Sequence, residues 1–239
     1  MYDLLSKPAP PHARATSVSS ARPQADRLVR IGGLCWAFSV VFFGAQVAAQ
    51  AVFAPSYSLF DNRVSDLGNT TCGPWLTYPF ACSPLHDVVN AAFVATGVLF
   101  VLGAMLTWNA WPRRRLTTAG LVCIALAGVG YMLVGLNPEN VNVRLHILGA
   151  SNLLTSNLAL LLLGLSTRLE HSWRSNLAFS LAAVACVGLV GGPALLATVQ
   201  HGGGLSERLV LYPCVIYLIV VGVWLLRNGC SRLPNHRAA

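Results

Sequence analysis

The sequence has very little charge: only 10% of its 239 residues are Asp, Glu, Lys or Arg, against about 25% in an average soluble domain. This deficit excludes a disordered chain or a nucleic-acid-binding arm, and it argues strongly against a water-soluble enzyme. The sequence also lacks the H-E-x-x-H motif of zinc hydrolases and the G-x-S-x-G motif of serine hydrolases. Apolar residues are abundant: 55% of the residues are hydrophobic, and the mean hydropathy is +0.60.

The apolar residues lie in six runs that contain no charged residue. Each is close to the length of about 20 residues with which an α-helix crosses the hydrocarbon core of a bilayer. The runs are 31–53, 88–108, 117–136, 146–166, 177–199 and 209–226. They are too long for the strands of a membrane barrel. The predicted fold is therefore all-α, a polytopic membrane protein with a six-transmembrane-helix bundle over residues 30–228.

The basic residues divide unevenly between the two ends of this bundle. Most lie in the two tails and in the second and fourth loops, whereas only Arg63, Arg144 and Arg208 lie at the other end. Because cytoplasmic loops retain Lys and Arg, both termini are predicted to lie on the cytoplasmic side. The membrane is predicted to be the cell membrane. Topology thus explains the positive net charge without a nucleic-acid partner. Residues 1–29, rich in Pro, Ser and Ala, are expected to form a flexible tail, and 229–239 a second cytoplasmic tail.

Two of the seven cysteines, Cys72 and Cys82, lie together in the long first outer loop. Four others fall in apolar runs, where cysteine behaves as a small hydrophobic residue. A close pair on an exported loop favours a disulfide. Two free thiols, or a pair of metal ligands, are the alternatives that the spacing leaves open.

Acidic residues and histidines gather at the predicted outer end. One local group joins Ser65 and Asp66 with His86 and Asp87, on either side of the cysteine pair. A second group, after the third helix, joins Glu139 with Arg144 and His146. The candidate binding residues at this end are Ser65, Asp87, Glu139, Arg144, His201 and Arg208, with Gln46 and Gln50 on the outer half of the first helix. They predict a polar pocket over the outer end of the bundle.

Two kinds of function fit such a pocket. The first is binding of a membrane lipid, a lipid-linked intermediate or a partner membrane protein. The alternative is a membrane-embedded hydrolase or transferase acting on a lipid head group, in which Asp66, His86 and His146 serve as general base or as zinc ligands. No diagnostic metal spacing is present, so no cofactor is required and zinc is only a candidate. The charge-free spans argue against an ion-coupled transporter.

Small residues in the third run carry a separate prediction about packing. Without a hydrophobic force between helices in lipid, close contact depends on residues that let backbones approach. Gly128 and Gly130 therefore predict a tight crossing between the third helix and its neighbours.

Several short motifs resemble a known family when they are taken in order. They are Val64–Gly68 after the first helix, Gly135–Pro138 followed by Leu145-His146 and Gly149-Ala150, and Gly204 with Arg208 before the last helix. Together they resemble the bacterial and archaeal "domain of unknown function 998" membrane family over roughly residues 30–228. The resemblance implies a six-helix integral membrane protein whose shared residues gather on the outer side. It implies no activity.

Overall fold

Over the residues that it describes, a computed structural model of the chain contains eight α-helices and one small β-hairpin. The described residues are 12–76, 78–168, 172–199 and 202–229. The helices are α1 (His12–Phe38), α2 (Val41–Ala51), α3 (His86–Leu106), α4 (Arg115–Leu136), α5 (Val143–Ala150), α6 (Asn152–Arg168), α7 (Trp173–Val199) and α8 (Gly203–Asn228). The strands are β1 (Gly73–Trp75) and β2 (Tyr78–Ala81), which pair antiparallel.

The helices form six segments that are long and apolar enough to cross a membrane, which confirms the predicted all-α, six-span bundle. Helices α1 and α2 together form the first segment, and α5 and α6 together form the fourth. The two members of each pair are separated by a short irregularity. At the first of these, the Val40 N–H donates to the carbonyl of Ala37, three residues back, instead of four. The helix therefore continues through a tighter turn rather than ending.

The helices extend beyond the apolar runs at several ends. Helix α8 begins at Gly203, whereas its apolar run begins at Leu209. Helix α1 begins at His12, within the segment for which the sequence predicted a flexible tail. Arg30, the first residue after that segment, contacts both the segment and the bundle. Arg30 pairs with Asp26 one turn earlier at 2.8 Å and donates to the carbonyl of Leu226 at 2.7 Å.

The six spans pack as a closed ring. Each contacts the span before and after it in the chain, α8 contacts α1, and α6 also contacts α8. Buried aromatic side chains of α2, α3 and α4 pack against one another inside the bundle. Phe42 lies 5.0 Å from Phe93 and 5.6 Å from Tyr131 between ring centroids, and Phe100 lies 5.1 Å from Tyr131. These edge-on and tilted contacts are the favourable geometry for aromatic pairs.

Glycines set the closest approach between α3 and α4. A Cβ atom at Gly97 would lie 2.3 Å from the carbonyl oxygen of Gly128, and one at Gly128 would lie 2.6 Å from that of Gly97. At Gly130, a Cβ atom would lie 2.5 Å from the carbonyl oxygen of Gly149 on α5. The prediction that Gly128 and Gly130 mark tight helix crossings is confirmed.

The two ends of the bundle differ in construction. We call the end that carries residues 52–85, residues 137–142 and the start of α8 the hairpin end, and the opposite end the tail end. At the hairpin end, a disulfide joins Cys72 to Cys82 with their Cα atoms 4.3 Å apart, as expected. The backbone of Cys82 also pairs with that of Ala54, which ties the β-hairpin to the end of the first span.

Candidate functional site

The loop after the first span is folded onto the start of α8. The Leu205 N–H donates to the carbonyl of Phe60 at 2.9 Å, and the Gly204 N–H donates to that of Asp61 at 3.0 Å. The Val64 N–H donates to the Glu207 carboxylate at 2.6 Å. The first two bonds use N–H groups of the first turn of α8, which have no partner within the helix itself. In the third bond a loop N–H donates to a side chain of α8. The loop therefore caps α8 and forms one surface with it.

Arg208 lies at the centre of this contact. Its Nη1 donates to the carbonyls of Leu59, Asn62 and Gly204 at 3.0, 2.8 and 2.9 Å, and its Nη2 donates to the hydroxyl of Tyr57. All of these acceptors are uncharged. Arg208 is only 7% exposed, and its Nε has no hydrogen-bond partner. Within the described part of the chain, no carboxylate lies within ion-pair distance of it, and the buried carboxylate of Glu207, the preceding residue, acts on its charge only from beyond that distance.

An apolar groove lies beside Arg208, between α7 and α8. Its volume is about 510 Å³. Arg208 lines it together with Phe60, Leu181, Val184, Leu205, Tyr212 and Ile216. Val184 and Ile216 are exposed, so the groove opens on the side of the bundle that faces lipid in a membrane. The groove thus combines an apolar wall with one buried positive charge.

Gln46, a predicted binding residue, is connected to this groove. It is buried, its Nε2 donates to the carbonyl of Phe42 at 3.2 Å, and its Oε1 accepts from the Tyr212 hydroxyl at 2.7 Å. Gln50 is half-buried on the same helix. Of the two glutamines, Gln46 therefore reaches the groove through Tyr212.

A second cluster at the hairpin end is built around Arg63. Its Nη2 lies 2.9 and 3.1 Å from the two carboxylate oxygens of Glu139 and 3.6 Å from Oδ1 of Asp66. Asp66 is fully buried and also accepts from the Arg63 N–H at 2.8 Å and from the Trp75 indole at 3.2 Å. Burial raises the pKa of the Asp66 carboxyl above its ordinary value, and the positive charge of Arg63 opposes that rise. This cluster fixes the loop to the end of α4.

The candidate catalytic residues Asp66, His86 and His146 each have separate partners. The Nδ1 of His86 lies 2.8 Å from the carbonyl of Ser83, and its Nε2 lies 3.4 Å from the carboxylate of Asp87, which is exposed. The Nδ1 of His146 lies 3.0 Å from the carbonyl of Asn137. Among the described residues, no group of three or more His, Cys, Asp or Glu side chains is placed to hold a metal ion. These three residues therefore share no hydrogen-bond partner and form no metal-binding group in the part of the chain that the structure describes.

The other predicted residues are distributed around this end. Ser65 is buried in a 3-10 helix that runs from Ser65 to Gly68. Arg144 is exposed on α5. His201 lies outside the described residues. Tyr57 and Arg63 are not among the binding or catalytic residues predicted from the sequence, although both hold the loop in place. The spacing of Arg63 and Asp66, three residues apart, is the one local signal that indicates their pairing.

Comparison with known proteins places the chain in a family. The model of the family described as "Protein of unknown function (DUF998)" matches residues 36–224. This match covers most of the chain, from the first span to the last. No curated protein and no solved structure matches the chain.

Proposed function

Because the chain belongs to the DUF998 family of proteins of unknown function, we propose its function from the geometry of the hairpin end. The protein binds a lipid or a lipid-linked intermediate with an anionic head group. The apolar part of this ligand lies in the groove between α7 and α8, and the head group lies at Arg208. This is a binding function within the membrane and requires no cofactor.

The observation that carries the proposal is that Arg208 is buried with no carboxylate in direct contact. Burying a cation is costly unless an anion and hydrogen bonds compensate for it. Here the carbonyls supply hydrogen bonds but no negative charge, and Nε has no acceptor. An anionic head group would supply both the negative charge and an acceptor for Nε. The wall formed by Leu181, Val184 and Ile216 suits an acyl or prenyl chain.

The first test compares the lipids that co-purify with the protein in mild detergent. Mass spectrometry of the wild type is expected to find one anionic lipid class enriched over its share in the source membrane. Arg208→Gln is expected to retain about tenfold less of it, the loss of roughly one charge-assisted contact. Arg144→Gln, at an exposed arginine of the same end, is expected to retain the wild-type amount.

A second pair of variants separates binding from folding, because Arg208 also holds the loop. Val184→Trp fills the groove without removing any of the loop contacts. Val190→Trp places the same side chain on the same helix, at a residue that is 77% exposed and does not line the groove. Lipid loss is expected only in Val184→Trp. Equal retention in both tryptophan variants and in Arg208→Gln would contradict the proposal.

The same preparation tests the hydrolase or transferase alternative. Stoichiometric zinc that is lost in His86→Ala and in His146→Ala would overturn the binding function in favour of that enzyme. Absence of metal, together with a retained lipid that depends on Arg208, supports binding.

We also propose that the tail end faces the cytoplasm and that the bundle lies in the cell membrane. The Cys72–Cys82 disulfide supports this orientation, because disulfides persist on the oxidising side of a membrane. A C-terminal green fluorescent protein is expected to fluoresce, whereas a C-terminal alkaline phosphatase is expected to be inactive. An active phosphatase at this position would reverse the orientation.

A further inference from the structure

A second pocket lies at the tail end, far from the groove, at the point where α4 begins. Its volume is about 260 Å³. We call it the arginine cradle, after its lining residues Trp108, Trp111, Arg113, Arg114, Arg115 and Thr117. It shares no residue with the groove at Arg208, so it is independent of the function proposed above.

Positive charge is concentrated in the cradle without compensation. Three consecutive arginines, 113–115, line it, and Arg115 is the first residue of α4. No side chain caps this helix, and its first turn contains no acidic residue. The free N–H groups of a first turn form the positive end of the helix dipole. Within the described chain, none of the three arginines forms an ion pair, so nothing balances their charge there.

A buried hydroxyl is the second, independent indication of a ligand. Thr117 lines the cradle and is only 4% exposed, yet its Oγ1 has no hydrogen-bond partner. A buried polar atom without a partner costs about 1–3 kcal/mol. Such atoms are rare in folded proteins unless a water, an ion or a ligand satisfies them.

The cradle is positioned from both sides. Arg114 Nη1 donates to the carbonyl of Ser166 at 3.0 Å, which fixes this arginine against the end of α6. The guanidinium of Arg174 lies 5.1 Å from the ring centroid of Trp111 and adds positive charge behind the indole. Arg113 and Arg115 are exposed, so their guanidinium groups can turn toward a bound group.

We propose that the arginine cradle binds a phosphate group, supplied by the head group of an anionic phospholipid. Guanidinium groups match phosphate oxygens with two parallel hydrogen bonds, and a helix N-terminus adds free N–H donors. Trp108 is 44% exposed beside the arginines. Tryptophan concentrates at the level of the lipid head groups, and basic pockets beside transmembrane helices bind anionic head groups.

The experiment measures the unfolding temperature of the full chain in detergent as a ligand is added. The probes are short-chain phosphatidylglycerol, short-chain phosphatidylcholine and inorganic phosphate. We expect phosphatidylglycerol to raise the unfolding temperature, with little effect of the other two. The double variant Arg113→Gln, Arg115→Gln is expected to need about tenfold or more phosphatidylglycerol for the same rise. Thr117→Val is expected to shift the response in the same direction.

Arg227→Gln is the matched control, since Arg227 is exposed at the same end of the bundle but lies in the last turn of α8. It is expected to respond as the wild type does. Equal stabilisation by inorganic phosphate would overturn the lipid as the source of the phosphate. No response to any probe, or an equal weakening in Arg227→Gln, would overturn the site. The variant Val184→Trp distinguishes these outcomes from lipid binding in the groove, which it blocks while leaving the cradle intact.

Discussion

Replacing Gly97 by alanine is expected to destabilise the bundle by about 3 kcal/mol, near the upper end of the usual cost of overpacking. The new Cβ atom would lie 2.3 Å from the carbonyl oxygen of Gly128 and 2.9 Å from the backbone nitrogen of Met132. Both are backbone atoms, which cannot turn aside as a side chain can. Helices α3 and α4 must therefore move apart, and the dispersion contacts along their interface are lost.

Thermal unfolding of a fluorescent fusion in detergent, followed by size-exclusion chromatography, measures this effect. Gly97→Ala is expected to lose its monodisperse peak at a clearly lower temperature than the wild type. Gly44→Ala is the control, because Gly44 is also helical but nothing lies within 4 Å of its Cβ position. Alanine has the higher helix propensity, so this control is expected to be neutral or stabilising. Equal stability of both variants would contradict the tight crossing.

The six spans are predictable from the sequence because a bilayer imposes both a length and an absence of charge. The start of α8 shows where that rule fails. The charges of Glu207 and Arg208 end the apolar run, yet both residues lie within the helix. Glu207 accepts from a loop N–H, and Arg208 donates to loop carbonyls. A membrane-spanning helix can therefore include charged residues where another part of the protein contacts them. A single sequence does not show that contact.

The candidate site is predictable only as a region. Sequence proximity groups Asp66 with His86, and Glu139 with Arg144 and His146. In the structure, Arg63 pairs with Asp66 three residues later and also with Glu139, which is 76 positions further along the sequence than Arg63. Asn140 similarly donates to the hydroxyl of Thr70 at 3.0 Å. Residue types and topology indicate that these groups share one end of the bundle, but the pairing depends on how the loop folds.

Replacing Arg63 by methionine is expected to destabilise the hairpin end by about 2–3 kcal/mol, since breaking an ion pair whose carboxylates are buried leaves uncompensated charge, and the partial exposure of Arg63 reduces the cost. Two carboxylates would lose their cation. Asp66 is fully buried, and the Glu139 side chain is only 12% exposed. The loop is expected to open locally, which limited proteolysis between residues 52 and 85 measures. Arg144→Met, at an exposed arginine with no ion pair among the described residues, is the control and is expected to resist proteolysis as the wild type does.

The loss of stability in Arg63→Met, relative to the wild type, is also expected to depend on pH. Burial raises the pKa of Asp66, and Arg63 opposes that rise, so removing Arg63 raises the pKa further. Between the ordinary value of about 4 and the raised value, the folded chain binds more protons than the unfolded chain. Stability therefore falls as the pH increases through this window. The deficit is expected to be smallest near about pH 4 and to grow toward neutral pH, and Asp66→Asn in the same chain should flatten this dependence. A deficit that is equal at all pH values would show that Arg63 acts through packing rather than through its charge.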